Sequence, residues 1–256
     1  MRMFQSYCIG IPRSGTHSVA YTLGAQFKTA HEPKANDTIG HLLSYLSGQL
    51  NNAQMREYLL NRDKELQLEL EASHYLHYVT KDLAEIFPNS RFILTLRDPM
   101  SWIESEINQN IFTSTAINPI WRELEAFRYA QYDISRSQKE KNLFQYKNVW
   151  PIEAYFKYWS SHITTVIKNI PKDRMKIIPI WNLQKELTNI TSFLFPVIIK
   201  NNIELKKINS GAGRRFIDLY KLVDRRYVEK LMLKNCEKVI NELTQFIPKF
   251  KDKCFY

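Results

Sequence analysis

The sequence predicts an α/β protein in three layers, a central parallel sheet flanked by helices, and three observations carry that prediction. The first is a short apolar segment that turns tightly and reopens as a helix, Tyr7-Cys-Ile-Gly-Ile-Pro-Arg-Ser-Gly-Thr-His-Ser-Val-Ala20. The second is a nearly continuous apolar run, Arg91-Phe-Ile-Leu-Thr-Leu-Arg97, followed at once by Asp98-Pro99, which reads as a buried strand handing over to a helix. The third is the order of the chain, in which strand-like and helix-like segments alternate without internal repeats or low-complexity tracts.

Taken in order, the first strand is expected near residues 4–11. Gly10 and Gly15 mark where the backbone turns and approaches a ligand with no Cβ in the way. Ser14 to His17 opens a helix running from Thr16 to about Gln26, its first N–H groups facing an anion. Phe27 to Ala30 is a short second strand. Helices follow at 36–48 and 52–62, with Leu42, Leu43, Leu46 and Leu50 on one face, and Leu66 to Ala72 alternates as a strand. Tyr75 to Phe87 is helical and stops at Pro88. After the Arg91–Arg97 strand, Asp98 caps and Pro99 opens a helix over 99–110. Residues 111–150, aromatic and polar, form an insertion on the substrate side with a helix near Trp121 to Lys141. Pro151 to Ile170 is an amphipathic helix whose Tyr155, Tyr158, Trp159, Ile163 and Val166 read as core. Met175 to Ile180 is a strand, and a structural helix carries Leu219, Leu222, Val223 and Leu231.

A chain of 256 residues, 44% hydrophobic and 24% charged, suffices for a single large domain spanning 1–256 with a full core. The excess of 36 Lys and Arg over 26 Asp and Glu, a net +10, suits nucleic acid, an anionic membrane or an anionic small molecule alike. There is no zinc-finger spacing, RNA-binding aromatic motif or long basic tail, and the basic pairs Lys206-Lys207, Arg214-Arg215 and Arg225-Arg226 read as solvated faces, so no nucleic-acid partner is expected. Cys8 packs in the first strand. With Cys236 and Cys254 it offers no C-x-x-C spacing, which argues against a disulfide scaffold or a zinc site. Residues 1–11 are too short and polar for a signal peptide, and no stretch approaches about 18 apolar residues. A reduced, cytoplasmic protein without a membrane partner is expected.

The loop at 10–17 is P-loop-like in shape but not in chemistry. A G-x-x-x-x-G-K-[ST] cradle would place Lys at Thr16 and a magnesium-binding hydroxyl at His17. The cation comes instead from Arg13, whose guanidinium suits a terminal or bridging phosphate oxygen. Such a loop fits an anhydride used without metal. Further on, Arg97 ends a strand and Ser105 follows eight residues later. Singly, Arg97 reads as a salt bridge to Asp98 or Glu104 and Ser105 as a solvated hydroxyl. Together they stand at the strand edge where open α/β sheets bind ligands.

Pro12-Arg-Ser-Gly-Thr16 after an apolar strand resembles the 5′-phosphosulfate loop of the sulfotransferases that use 3′-phosphoadenosine 5′-phosphosulfate (PAPS). Arg97 and Ser105 match the pair that holds the cofactor's 3′-phosphate in that family. Leu70-Glu-Ala-Ser-His-Tyr75, Phe87-Pro-Asn-Ser-Arg-Phe-Ile-Leu94 and Pro179-Ile-Trp-Asn-Leu183 also fall in familiar places. The resemblance covers roughly residues 5–200 and is nearest to bacterial members with this loop. It implies PAPS as donor, adenosine 3′,5′-bisphosphate as product and no metal, with Arg13, Ser14, Gly15, Thr16, His17 and Ser18 around the phosphosulfate. Trp181 stands where relatives carry the Tyr of Tyr-Glu-Asp beside the adenine; it either stacks on the base or packs in the core. Beyond 200, Asn209-Ser-Gly-Ala-Gly-Arg-Arg215 is the candidate for the basic loop that closes on the cofactor, through Arg214 or Arg215.

Two residues compete for the base that takes the acceptor's proton. Glu32, in His-Glu-Pro, occupies the place of a catalytic Glu in several branches of the family. His74 occupies the place of a catalytic His in others, although Ala72-Ser73 replaces the Lys-Thr that precedes it there. The resemblance implies sulfuryl transfer to a hydroxyl or amine of a small organic acceptor, a natural product, in a pocket walled by the Leu42–Asn61 helices and residues 111–150. A P-loop kinase-like phosphotransferase and a non-catalytic PAPS-binding or bisphosphate-binding protein are the alternatives.

Overall fold

Five short strands, β1 (Ser6–Cys8), β2 (Thr29–His31), β3 (Leu70–Ala72), β4 (Arg91–Leu96) and β5 (Met175–Pro179), pair in parallel in the order β2-β3-β1-β4-β5. They belong to a computed structural model that describes residues 2–115, 118–195 and 215–254. Central β1 pairs on one side with β3 (Ser6 opposite Leu70) and on the other with β4 (Ser6 opposite Arg91). Strands covered on both faces need apolar side chains pointing both ways, and Phe92, Ile93, Leu94 and Leu96 are all fully buried. The expected α/β architecture, a parallel sheet flanked by helices, is the one observed.

The chain divides into two compact units. Residues up to 96 and from 165 to 210 form the sheet unit, and residues 97–164 with those from 211 onward form the second. In the sheet unit α1 (Thr16–Leu23) packs on β1, β2 and β3. It is followed by α2 (Ala35–Leu46), α3 (Asn52–Leu66) and α4 (Thr80–Ile86). Val19, Ala20 and Leu23 turn one face of α1 onto Cys8, Leu70, Ala72 and Ile93. The helix stops at Leu23, before the expected Gln26: the Gln26 and Phe27 amides both turn back to the Leu23 carbonyl at 3.0 Å, and the Thr29 hydroxyl adds a second donor to the Ala20 carbonyl at 2.6 Å. In α3, Asn51 and Gln54 form a reciprocal capping box, and the helix runs on to Leu66, where Gln67 takes a left-handed conformation (φ 47°). That shortens the expected Leu66–Ala72 strand to three residues. The expected helix from Tyr75 is a tight 3-10 turn over His74–Val79 before α4 begins. Within it His77 Nδ1 meets the His74 carbonyl at 3.0 Å, and the Thr80 hydroxyl donates to the His77 carbonyl at 3.1 Å.

The second unit is helical among its described residues. Asp98 caps α5 (Pro99–Thr113) by accepting from the Ser101 amide at 2.8 Å, with Pro99 in the first turn as the sequence predicts. α6 (Ile120–Ala130) ends well short of the expected Lys141, because Asp133 turns left-handed (φ 47°) and its amide donates back to the Ala130 carbonyl at 3.0 Å. α7 (Ile152–Asn169) passes residues 152–164 to this unit, and Tyr155, Tyr158, Trp159 and Ile163 are buried as core, as expected. α8 (Leu183–Leu194) belongs to the sheet unit and packs on β5, whereas α9 (Leu219–Leu222), α10 (Arg225–Leu243) and α11 (Phe250–Lys253) belong to the helical one. Among the described residues no helix is long and apolar enough to cross a membrane.

The helical core holds an acid with a measurable signature. Glu125, only 3% exposed, accepts from the Thr113 hydroxyl at 2.8 Å and from Asn148. Burial pushes its pKa up to about 7, against the opposing pull of Asn148 and Arg128. A carboxyl whose folded pKa lies above its unfolded value stabilises the protein most when protonated, so its contribution is complete below about pH 4 and fades as pH rises through 7. Glu125→Gln should therefore remove a decline of roughly 3 kcal/mol in unfolding free energy between pH 4 and pH 8, read from urea midpoints across that range. An equally steep decline in the variant would assign it elsewhere.

Candidate active site

β1 leads into a loop that is pinned from behind and open in front. A Cβ on Gly10 would lie 1.7 Å from Thr95 Oγ1 and 2.7 Å from the Thr95 carbonyl, so what demands glycine there is the neighbouring strand β4. The Ser14 hydroxyl, fully buried, donates to the Ile11 carbonyl at 2.5 Å and lies 2.7 Å from Thr95 Oγ1. Arg13 and Gly15 both take left-handed conformations, φ 63° and 97°. For Arg13 that is a sparsely populated state which the surrounding packing must hold in place. Neither a side-chain cap nor an acidic residue occupies the first turn of α1, which leaves it suited to an external anion. His17 Nδ1 is buried there without a hydrogen-bond partner among the described residues, and Ser18 beside it is half-buried. Trp181, half-buried, lies in a short turn (Ile180–Asn182) after β5, and its neighbours Ile180 and Leu183 close on Gly15.

Glu32 and His74 are far apart in sequence and adjacent in space. β2 and β3 pair with His31 opposite Ala72, and the Glu32 amide donates to the Ala72 carbonyl at 3.0 Å, so the residues that follow the two strands emerge side by side at one edge of the sheet. There His74 Nδ1 lies 2.8 Å from Glu32 Oε1. With Nδ1–H donated to the carboxylate, Glu32 fixes the orientation and tautomer of the His74 ring. Glu32 also adopts a left-handed backbone, φ 52°, as does Lys34 at φ 51°. Arg62 holds this bend. Almost buried on α3, it donates to the Pro33 carbonyl at 2.9 Å and to both carboxylate oxygens of Glu71 at 2.5 and 2.8 Å, while Glu71 accepts from Ser73 at 2.8 Å.

One residue without a role in the sequence reading joins these parts. His31 Nε2 lies 3.3 Å from Thr16 Oγ1 in the loop and 3.8 Å from Glu32 Oε1, and its ring meets that of His17 edge-on at 5.0 Å. Burial lowers the His31 pKa; Glu32 opposes that shift, and His17 and His74 reinforce it. The sheet edge thus sets the loop at 10–17, an imidazole, a carboxylate and a second imidazole next to one another. The only sequence signal for His31 was its place at a strand end beside Glu32. Arg62 gave none, because an Arg on an amphipathic helix reads as surface.

The remaining candidates stand in the helical unit. The Arg97 carbonyl accepts from Trp159 Nε1 at 3.1 Å, and its guanidinium donates to Ser101 Oγ at 3.0 Å. Ser105, half-buried, lies one turn further along α5 from Ser101. Arg215, its side chain 62% exposed, pairs with Glu104 at 2.8 Å and Asp218 at 3.1 Å. Arg214 and most of the Asn209–Arg215 loop lie outside the described residues. Among the described residues no group of three or more His, Cys, Asp or Glu side chains is placed to hold a metal.

The fold, not the site, is what solved structures share with this chain. A crystal structure of a sulfotransferase from Alicyclobacillus acidocaldarius superposes with a TM-score of 0.55 at 14% identity, covering 96% of each chain. The sulfotransferase domain of the Synechococcus PCC 7002 olefin synthase gives 0.40 at 14% identity, covering 90% of this chain and 86% of that one. The sulfotransferase domain from the curacin biosynthetic pathway gives 0.43 at 12% identity, covering 93% and 98%. No curated protein matches the chain. The sulfotransferase domain family matches residues 7–194, which take in the loop at 10–17, Glu32, His74, Arg97 and Trp181. The chain belongs to the sulfotransferase domain family.

Proposed function

We propose that the protein transfers a sulfuryl group from PAPS to a hydroxyl or amine of a small organic acceptor, a natural product, in the cytoplasm and without a metal. The observation that carries this reading is the hydrogen-bonded Glu32–His74 pair, with His31 lying between it and Thr16 of the loop. The residues fit a phosphosulfate: the first turn of α1 is uncapped, the buried His17 Nδ1 awaits a partner, and Arg13 stands at the bend. Ser14 serves by fixing the loop, since its hydroxyl is turned inward. Arg97 and Ser105, with Arg214 or Arg215, take the 3′-phosphate, and Trp181 takes the adenine.

The donor supplies an activated sulfuryl group on a 5′-phosphate. The chain's residues do the rest by position and charge. The acceptor oxygen or nitrogen forms a bond to sulfur as the S–O bond to the phosphate breaks, and that electron pair leaves with the phosphate oxygen. Arg13 and the α1 amides bind the growing negative charge more strongly than they bind the ground state. The acceptor's proton passes to the Glu32–His74 pair.

A melting comparison tests the reading. Adenosine 3′,5′-bisphosphate at a hundredfold excess over its Kd should stabilise the fold by about 2.7 kcal/mol, a rise of several degrees for a chain of this size, and ATP with magnesium should do less. The reverse order would favour a kinase-like phosphotransferase. Bisphosphate binding without turnover of any small acceptor would favour a protein that only binds the nucleotide.

A further inference from the structure

Behind the Glu32–His74 pair, in the same sheet unit, lies an ion pair that touches neither of them. Arg62 on α3 and Glu71 on β3 are 6% and 4% exposed, and two N–H groups of the guanidinium meet the two carboxylate oxygens at 2.5 and 2.8 Å. Pairs buried this deeply add little net stability, because stripping water from both charges offsets most of their attraction. What a planar fork on a carboxylate does supply is direction, since two parallel bonds fix the position and plane of both groups.

That direction is used at both ends. The Arg62 Nη2 that meets Glu71 Oε1 also donates to the Pro33 carbonyl at 2.9 Å, and Arg62 Nε donates to the fully buried Thr38 hydroxyl at 2.9 Å. Pro33 directly follows Glu32, and Thr38 lies in the first turn of α2. On the other side Glu71 Oε1 accepts from the Ser73 hydroxyl at 2.8 Å, and Ser73 directly precedes His74. Ser73 is itself fully buried, its amide donating to the Cys8 carbonyl of β1 at 3.0 Å. One ion pair therefore grips the residue after the carboxylate and the residue before the imidazole. Pro33 sits between Glu32 and Lys34, both left-handed, and a bend of that kind persists only where its surroundings over-determine it.

We propose that Arg62 and Glu71 are positioning residues for sulfuryl transfer, a buried clamp that keeps His74 Nδ1 on Glu32 Oε1 so that the two act as one proton acceptor. The proposal rests on the sulfotransferase reading above and deepens it at the base alone, leaving the donor loop untouched. Misplacing a reacting group by about 1 Å costs about a hundredfold in rate, which sets the size of the effect.

The test removes both charges together. Arg62→Met/Glu71→Leu leaves no unpaired buried ion, a replacement that folded proteins commonly tolerate. Nitrogen-15 resonances of the His74 ring should show the Nδ1–H form in the wild type and a shift toward Nε2–H in the variant, a readout that needs no turnover and so decides the proposal even where the probe acceptor is poor. With benzyl alcohol as that probe, an alkyl hydroxyl whose proton needs a base, kcat should fall about a hundredfold, while the alcohol's KM and the Kd for adenosine 3′,5′-bisphosphate stay within about twofold. In this background a further Glu32→Gln should cost only about tenfold, because most of what the pair contributes is already gone. Arg62→Lys, which keeps the buried charges paired but loses the fork, should fall between wild type and double variant in both readouts, and it carries the test if the double variant does not fold. A merely structural pair would lower the melting temperature and leave the tautomer and the kcat of the folded protein unchanged; that result, or a full thousandfold loss from Glu32→Gln in the variant background, would overturn the proposal and leave the sulfotransferase reading intact. A shifted tautomer in a chain whose wild type neither binds the bisphosphate nor sulfates the alcohol would sink the sulfotransferase reading, and the positioning role with it.

Discussion

Glu32→Gln and His74→Gln should each lower kcat by about a thousandfold, and the double variant should fall hardly further. General acid–base catalysis contributes roughly 10²–10⁴ in rate. Two groups that act as one unit lose most of that contribution when either is removed. The 2.8 Å contact between His74 Nδ1 and Glu32 Oε1 makes them such a unit. Gln at 32 keeps the size of the side chain, so the left-handed bend at φ 52° and the Arg62 contact to Pro33 stay in place while the proton acceptor is lost. Neither substitution touches the loop amides or Arg13, so the Kd for adenosine 3′,5′-bisphosphate should stay within about twofold; calorimetric titration measures it. If the two losses multiply in the double variant, the residues work independently. If Glu32→Gln turns over normally, His74 is the base alone, and a normal His74→Gln assigns the role to Glu32.

That pair also shows where sequence reading stops. Local structure was legible: the apolar run at 91–97, the Asp98-Pro99 cap and the Pro12–Thr16 turn announce a strand and two helix starts from a few adjacent residues. Glu32 and His74 read as rivals because each was compared separately with a local pattern. What makes them partners is the register of β2 on β3, with His31 opposite Ala72, and register is a property of two segments at once. His31 escaped notice for the same reason, since its role lies in contacts to Thr16 and Glu32 across the sheet edge. Helix ends were misjudged where a local turn decides them, the Gln26 and Phe27 amides folding back on the Leu23 carbonyl at the end of α1 and the left-handed Asp133 stopping short the helix expected to reach Lys141.

Arg13 should separate catalysis from folding. Its backbone sits at φ 63°, a conformation that glycine adopts freely and that costs other residues about 1 kcal/mol. Arg13→Gly and Arg13→Ala both remove the guanidinium, and both should lower kcat by about 10²–10³, the usual loss when one donor to a developing anion is deleted. Their stabilities should diverge: the glycine variant should be more stable than the alanine variant by roughly 0.5–1 kcal/mol, which chemical denaturation resolves. Arg13→Lys, a point charge without the planar fork, should retain part of the rate but not all of it. A ground-state anchor would raise the Kd for adenosine 3′,5′-bisphosphate and spare kcat. A group whose interaction grows as the S–O bond breaks lowers kcat much more than it weakens the bisphosphate, and that split is what the structure leads one to expect, because the α1 amides beside Arg13 remain to hold the product. Normal turnover in Arg13→Ala would remove the guanidinium from the reaction and leave its left-handed backbone as a matter of loop geometry alone.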